Sequence, residues 1–288
     1  MSARGFGSRE IRVTRAISGG LIALCVGCLR APSPLDPRLQ GPVGMPHSGV
    51  LTEAEALPRS GRGYAFLRDD DRHFGVPRLV HAIARAAAAV EEERPGAVLT
   101  VGDLSVKTGG RLMPHLSHRT GRDADLLLYV TTLDGVPVQS PGFIHVGADA
   151  LAWDEQHHRF LRFDVEREWL LVKALVEDDE ARIQWVFASQ IIEAMLLEWA
   201  RARGEPGETL LRAEQAMLQP FPGGEHDDHV HVRTQCTAEE VAHGCEPTGP
   251  PRSWIVLDGP AAPTPTDAEL AADLLRPLEE RATAIGTH

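Results

Sequence analysis

Tyrosine is scarce: 2 Tyr stand beside 8 Phe and 5 Trp in 288 residues. So few aromatic side chains argue against a broad stacking platform for sugars. A basic excess is also missing. Lys and Arg total 29 against 41 Asp and Glu, for a net charge of −12. That balance argues against nucleic-acid binding, which leaves a cationic footprint, but not against a carbohydrate–peptide polymer as substrate. The one N-terminal apolar run, Ile17 to Gly27, is about eleven residues long, too short for a permanent membrane span. No internal repeat is visible. Cysteine is limited to 4 residues, so the chain is not a disulfide-dense miniature fold.

What is present suits one well-formed core with a small appendage: 43% of residues are hydrophobic. Residues 1–28 read as an export signal. Arg4, Arg9, Arg12 and Arg15 make its basic end and Ile17–Gly27 its apolar middle. Val26-Gly27-Cys28 suggests lipidation at Cys28, with simple cleavage as the alternative. Residues 29–47, rich in proline, read as a linker. The globular domain is expected over 48–258, and 259–288 as a tail with a short helix from Asp267 to Ala282.

Within the domain, Pro77 suits a first helical position, and Leu79, Val80, Ile83, Ala87 and Val90 follow at helical spacing up to Pro95-Gly96. Ala97–Val101 and Ile183–Phe187 read as strands. Asp164 is placed to cap a helix through Val176, and Ile191–Arg203 and Leu210–Leu218 read as two more helices. Gly109-Gly110 marks a loop where the backbone can take positive φ or approach a ligand closely; a plain turn reads equally well. Cys236 and Cys245 read as a disulfide if the chain is exported.

Two polar clusters stand apart. Pro114-His-Leu-Ser-His-Arg-Thr-Gly-Arg-Asp-Ala-Asp125 runs directly into an apolar strand, Ala124–Val130, on which Asp123 and Asp125 share a face. Glu225-His-Asp-Asp-His-Val-His-Val-Arg233 follows about a hundred residues later and places three of the chain's 13 His between positions 226 and 231. His-rich runs can be exposed and inert. Here, however, His229 and His231 alternate with Val230 and Val232. On a strand the two imidazoles then point to one face and the valines to the other. Imidazoles plus one carboxylate are what Zn²⁺ takes in a catalytic site that keeps a position open for water. The two clusters therefore read as halves of one metal site.

The pattern His118-x6-Asp125 with His229-x-His231 resembles the LAS metallopeptidases. More closely, Gly102-Asp-Leu-Ser105, Gly109-Gly110, His115-x-x-His118, Gly121-x-Asp-x-Asp125 and His226-Asp-Asp-His-x-His-Val-Arg233 resemble the penicillin-insensitive murein endopeptidases, over roughly residues 46–250. The resemblance implies an α+β fold with a central antiparallel sheet carrying the metal site and helices packed against it. It implies Zn²⁺ on His118, Asp125 and His231, one equivalent with a second to be tested. His229 is then the candidate general base, and His226 the alternative base or the group that stabilises charge. His115, Asp154 and His157 are candidates for a second metal or for orienting the first, against a reading of Asp154 and His157 as an ordinary exposed loop. Asp123 is expected to support its loop, and Gly109-Gly110 to face substrate.

The implied reaction is hydrolysis of the D-alanyl–diaminopimelyl cross-link between peptidoglycan stem peptides, in the periplasm or at the envelope. A membrane contact would come only through a lipid on Cys28. Alternatives are a D-Ala-D-Ala carboxypeptidase or other stem-peptide peptidase, and a non-catalytic zinc-stabilised wall-binding module. That family usually has more disulfides than this chain can form, which bears on surface loops rather than on the metal site.

Overall fold

The computed structural model describes residues 38–220 and 224–255. The export signal with Cys28, and the tail from 259 onward with its expected helix, lie outside the described residues. The fold opens with a hairpin, β1 (Pro42–Met45) and β2 (Ser48–Leu51). β1 falls within the stretch read from sequence as linker. Pro42 is tolerated there because it is the first residue of a strand in a two-stranded hairpin. A backbone hydrogen bond from Gly44 to the Gly244 carbonyl, 2.8 Å, ties this hairpin to the far end of the domain.

β3 (Glu55–Ala56) pairs with β6 (Phe74–Gly75). Between them, β4 (Ser60–Gly61) and β5 (Tyr64–Phe66) form one edge of the main sheet. α1 (Pro77–Glu93) starts on its proline and buries the predicted stripe of Leu79, Val80, Ile83, Ala87 and Val90. It returns the chain to β7 (Leu99–Val101), which lies parallel to β5. β8 (Asp123–Leu127) then runs antiparallel to β7.

The strand predicted over Ala124–Val130 divides here. β8 stops at Leu127, and β9 (Val130–Thr131) belongs to a second, four-stranded antiparallel sheet with β10 (Pro137–Val138), β11 (Leu151–Asp154) and β12 (Arg159–Phe163). α2 (Val165–Glu177) is capped as expected: the Asp164 carboxylate accepts from the Arg167 backbone N–H at 3.2 Å. β13 (Ile183–Phe187) leads through α3 (Gln190–Arg203) and α4 (Gly207–Ala216) to β14 (Met217–Leu218). Met217 and Leu218, read from sequence as the end of a helix, instead form this short strand. β15 (His229–Thr234) and α5 (Ala238–Ala242) complete the described elements.

The result is an α+β architecture. Its main sheet has seven strands in the order β14-β13-β15-β8-β7-β5-β4. It is mixed rather than wholly antiparallel, because β5–β7 and β13–β14 are parallel pairs. Each of those pairs is joined by a helical crossover, and a crossover delivers the next strand in the same direction. The middle of the sheet, β13-β15-β8-β7, is antiparallel throughout.

Period-two alternation sorts the two faces. Val230 and Val232 of β15, with Ala124 and Leu126 of β8, join the apolar core with Ile83, Trp169 and Leu175. Asp123 and Asp125 of β8, and His229, His231 and Arg233 of β15, occupy the alternate positions. The register sets His231 opposite Asp125 and Arg233 opposite Asp123. Just past β15 the Cys236–Cys245 disulfide is formed, with Cα atoms 6.2 Å apart. It encloses α5, whose Thr237 and Glu240 make a reciprocal capping box. No helix among the described residues is long and apolar enough to cross a membrane.

Candidate metal centre

The two adjacent strands β8 and β15 supply the middle of the site. Asp125 is fully buried. Its Oδ1 lies 3.1 Å from His231 Nδ1, 3.2 Å from His118 Nε2 and 3.4 Å from His229 Nε2. His115 Nδ1 approaches the other oxygen at 3.5 Å.

Each imidazole is aimed by what its second nitrogen does. His118 reaches the site from the loop before β8 in a left-handed backbone conformation, φ 65. The Ser105 hydroxyl donates to its carbonyl at 2.6 Å, and its own Nδ1 donates to the Leu104 carbonyl at 3.0 Å. The Nε2 lone pair is thereby left facing Asp125. His231 Nε2 donates to Asp123 Oδ1 at 2.8 Å, which leaves Nδ1 as the inward atom. His229 Nδ1 donates to Asp228 at 2.6 Å, and His115 Nε2 donates to Asp103 at 2.7 Å. His226, also at positive φ, donates from Nδ1 to the Gly224 carbonyl at 2.7 Å.

Among the buried side-chain atoms without a hydrogen-bond partner are both carboxylate oxygens of Asp125, Nε2 of His118 and, beside them, Oδ2 of Asp123. Orphaned polar atoms at this depth are costly and rare. Nε2 of His118 and Nδ1 of His231 both approach Asp125 Oδ1, at 3.2 and 3.1 Å, so two nitrogens and one carboxylate stand together as possible ligands. That set fits a divalent cation of the Zn²⁺ type. Ligand atoms fall into two neighbouring groups, His115–His118–Asp125 and His226–His229–His231, each with its atoms within 4.8 Å of one another.

The electrostatics follow the same convergence. Burial alone would raise the Asp125 carboxyl, but His118, His229 and His231 overcome it and hold it well below the usual carboxylate range. Burial would lower His229, yet the Asp125 and Asp228 carboxylates raise it to about 10. His226 has no carboxylate partner, and burial pushes it down to about 4. A dication among these groups would favour the neutral form of each ligating imidazole, because a ligand nitrogen must be deprotonated.

The structure thus brings together His115, His118, Asp125, His226, His229 and His231. It does not bring in Asp154 and His157, which belong to neither group among the described residues. They close the turn between β11 and β12: Asp154 accepts from the His157 backbone at 3.2 Å, the His157 ring at 2.8 Å and Arg159 at 3.1 Å. Asp123 supports His231 rather than a loop. Gly109 serves backbone packing, since a Cβ there would sit 2.2 Å from the Arg119 carbonyl.

Several neighbours escaped the sequence reading. Asp103 gathers Arg68, Arg72 and His115, and lies inside the Gly-Asp-Leu-Ser motif. Phe143 packs edge-on to His229 at 5.2 Å, and Phe187 to His231 at 5.4 Å; neither has a local sequence signal. Trp185, on the strand expected over Ile183–Phe187, is only partly covered and stacks on Phe187 at 5.4 Å.

Comparison with known proteins gives the arrangement a context. Residues 42–254 match the family model described as penicillin-insensitive murein endopeptidase. A protein of that name from Klebsiella pneumoniae (strain 342) is 31% identical over 218 residues, covering 73% of this chain and 70% of its own length. Namesakes from Salmonella paratyphi C (28% over 235 residues; 77% of this chain and 79% of its own length) and Haemophilus influenzae Rd (27% over 227 residues; 77% and 72%) are similar as well.

Proposed function

The chain belongs to the penicillin-insensitive murein endopeptidase family, and from that premise we propose that it is a zinc-dependent peptidase of the LAS type, hydrolysing the D-alanyl–diaminopimelyl cross-link of peptidoglycan stem peptides. The observation that carries the reading is Asp125: a fully buried carboxylate with no hydrogen-bond partner, ringed by imidazole nitrogens 3.1–3.4 Å away. His118, Asp125 and His231 are the residues that would hold the ion. Bound there, zinc supplies Lewis acidity towards a peptide carbonyl and makes water more acidic.

The chain's own groups account for the proton. His229 lies on the strand face of His231, and Asp228 fixes its Nδ1–H. A base oriented by a carboxylate is the arrangement general acid–base chemistry uses. A cation held by Asp125 would offset the carboxylate charge that otherwise keeps His229 protonated, and His229 Nε2 would then take the proton of the attacking water and return it to the departing amine. His226, kept neutral by burial and donating from Nδ1 to Gly224, offers Nε2 as a hydrogen-bond acceptor that orients the same water. No Ser or Cys nucleophile enters, which accords with insensitivity to a reagent for serine acyl-enzymes. His229 and His226 remain partly open to solvent, as a reacting face requires and as a closed structural zinc site does not.

The expected location is the periplasm or the envelope surface, by export through residues 1–28, with Cys28 as the candidate lipid anchor. The test is mass spectrometry of products from purified cross-linked and uncross-linked muropeptides, before and after chelation and zinc replacement. Cleavage of cross-linked dimers to monomers, lost on chelation and regained with zinc, is expected. Release of terminal D-Ala alone would make the protein a carboxypeptidase, and binding without cleavage a wall-binding module.

A further inference from the structure

The buried side of His231 is held by more than a ligand set requires. Its Nε2 donates to Asp123 Oδ1 at 2.8 Å, and Arg233 Nε donates to that same oxygen at 2.6 Å. Asp123 is fully buried, and its other oxygen has no partner. The Arg233 guanidinium lies over the Phe187 ring at 5.3 Å, and that ring meets His231 edge-on at 5.4 Å. Arg233 therefore reaches His231 by two routes, a carboxylate and a phenyl ring. The β8–β15 register sets Arg233 opposite Asp123 and His231 opposite Asp125, and the β13–β15 register sets Phe187 opposite His231.

We propose that Arg233 is a positioning residue for the metal site. Acting through Asp123 and Phe187, it holds His231 in the one tautomer and ring orientation that present Nδ1 beside Asp125. The inference rests on the metal reading above. Its logic is charge and geometry. Asp123 and Asp125 are two buried carboxylates on one strand face, and Asp123 has Arg233 as its fixed cation. A bare Asp123 would have only His231 to satisfy it, and the ring would be free to turn. Carboxylates that orient ligating imidazoles typically change metal affinity by about 10–100-fold when lost.

The experiment measures Zn²⁺ affinity of the full chain by chelator competition, and the visible absorption of the Co²⁺-substituted protein. Wild type is compared with Arg233→Ala, Arg233→Lys, Asp123→Asn and the double variant Arg233→Ala/Asp123→Asn. Arg233→Ala should weaken zinc binding by about 10–100-fold and alter the cobalt spectrum. Arg233→Lys keeps the cation without the planar fork and should recover part of the loss. The double variant should be no weaker than the product of one loss and a small remainder, because the two residues act in series. Arg233→Lys also covers the case in which Arg233→Ala does not fold. Wild-type affinity within twofold in both Arg233 variants, with an unchanged cobalt spectrum, overturns the proposal alone. A wild-type chain that binds neither metal overturns it together with the metal reading.

Discussion

Asp125 and His231 face each other across the β8–β15 pair, with Oδ1 3.1 Å from Nδ1. The contact is placed by backbone register, not by flexible loops, and His118 closes on it from the side at 3.2 Å. Each of the three should therefore be indispensable for metal. His118→Ala, Asp125→Ala and His231→Ala are expected to purify with less than a tenth of an equivalent of zinc and no measurable cross-link cleavage. Elemental analysis decides it. A His231→Ala protein with a full equivalent and wild-type turnover would remove that residue from the ligand set.

His229 should behave differently. It shares the face of His231, but its Nδ1 is held by Asp228 and its Nε2 stands 3.4 Å from Asp125. His229→Ala is expected to keep zinc and lose about 10²–10⁴-fold in kcat. His226→Ala should be milder, with zinc also intact. If the order of the two losses is inverted, the roles are inverted. Zinc lost from His229→Ala would make it a ligand.

The Asp154–His157 pair gives a third expectation. Both residues are satisfied within their own turn, so His157→Ala should leave metal stoichiometry unchanged. Loss of a second equivalent in that variant, measured at saturating zinc, would reinstate a second metal there.

Glu168 sets a pH dependence of stability. It is fully buried on α2 and accepts one hydrogen bond, from the Tyr129 backbone at 3.0 Å, with no cation among the described groups that shift it. Burial raises its pKa from 4.5 to about 8. The folded chain then keeps a proton that the unfolded chain releases above pH 4.5. Its contribution is fully present below that pH and is lost as pH rises towards about 8. Glu168→Gln should match wild type in urea melts at pH 4.5 and exceed it at pH 9, by on the order of 3–5 kcal/mol as an upper bound. Equal stability of the two at pH 9 would show that the carboxyl ionises in place without cost.

The Cys236–Cys245 bond should be worth about 2–3 kcal/mol from closure of its short loop. Replacing both cysteines by serine is expected to lower stability by that amount and to free α5 and the β1–β2 hairpin, joined to it through Gly44. Thiol labelling of the denatured, unreduced chain should find neither cysteine. Quantitative labelling of both would mean that the bond does not form.

Much of this was readable in the sequence, for local reasons. Pro77 and the Leu79–Val90 stripe announce α1, Asp164 announces α2, and alternation through His229–Arg233 announces β15 with its polar and apolar faces. The residues of the imidazole cluster are legible because metal chemistry demands those types. What was not legible depends on partners distant in the chain. Asp123 meets His231 across 108 residues, so its role waits on the register of β8 against β15. Phe143 and Phe187 are ordinary apolar residues until a fold puts an imidazole beside them. The parallel edges of the sheet follow from where the crossovers land. Met217-Leu218 joins β13 only because α3 and α4 return the chain there.

The pairing of β8 with β15 also dates the site within folding. The unfolded chain already has every ligand, yet it has no site, since first and last contributors lie over a hundred positions apart. Hairpins and α1, built from near neighbours, can form early without bringing those groups together, whereas long-range strand pairing comes at a high cost in loop closure. A register slip of one residue would turn His229 and His231 into the core and Val230 and Val232 out. On the proposed function, the ligand set is therefore assembled only when the sheet is completed.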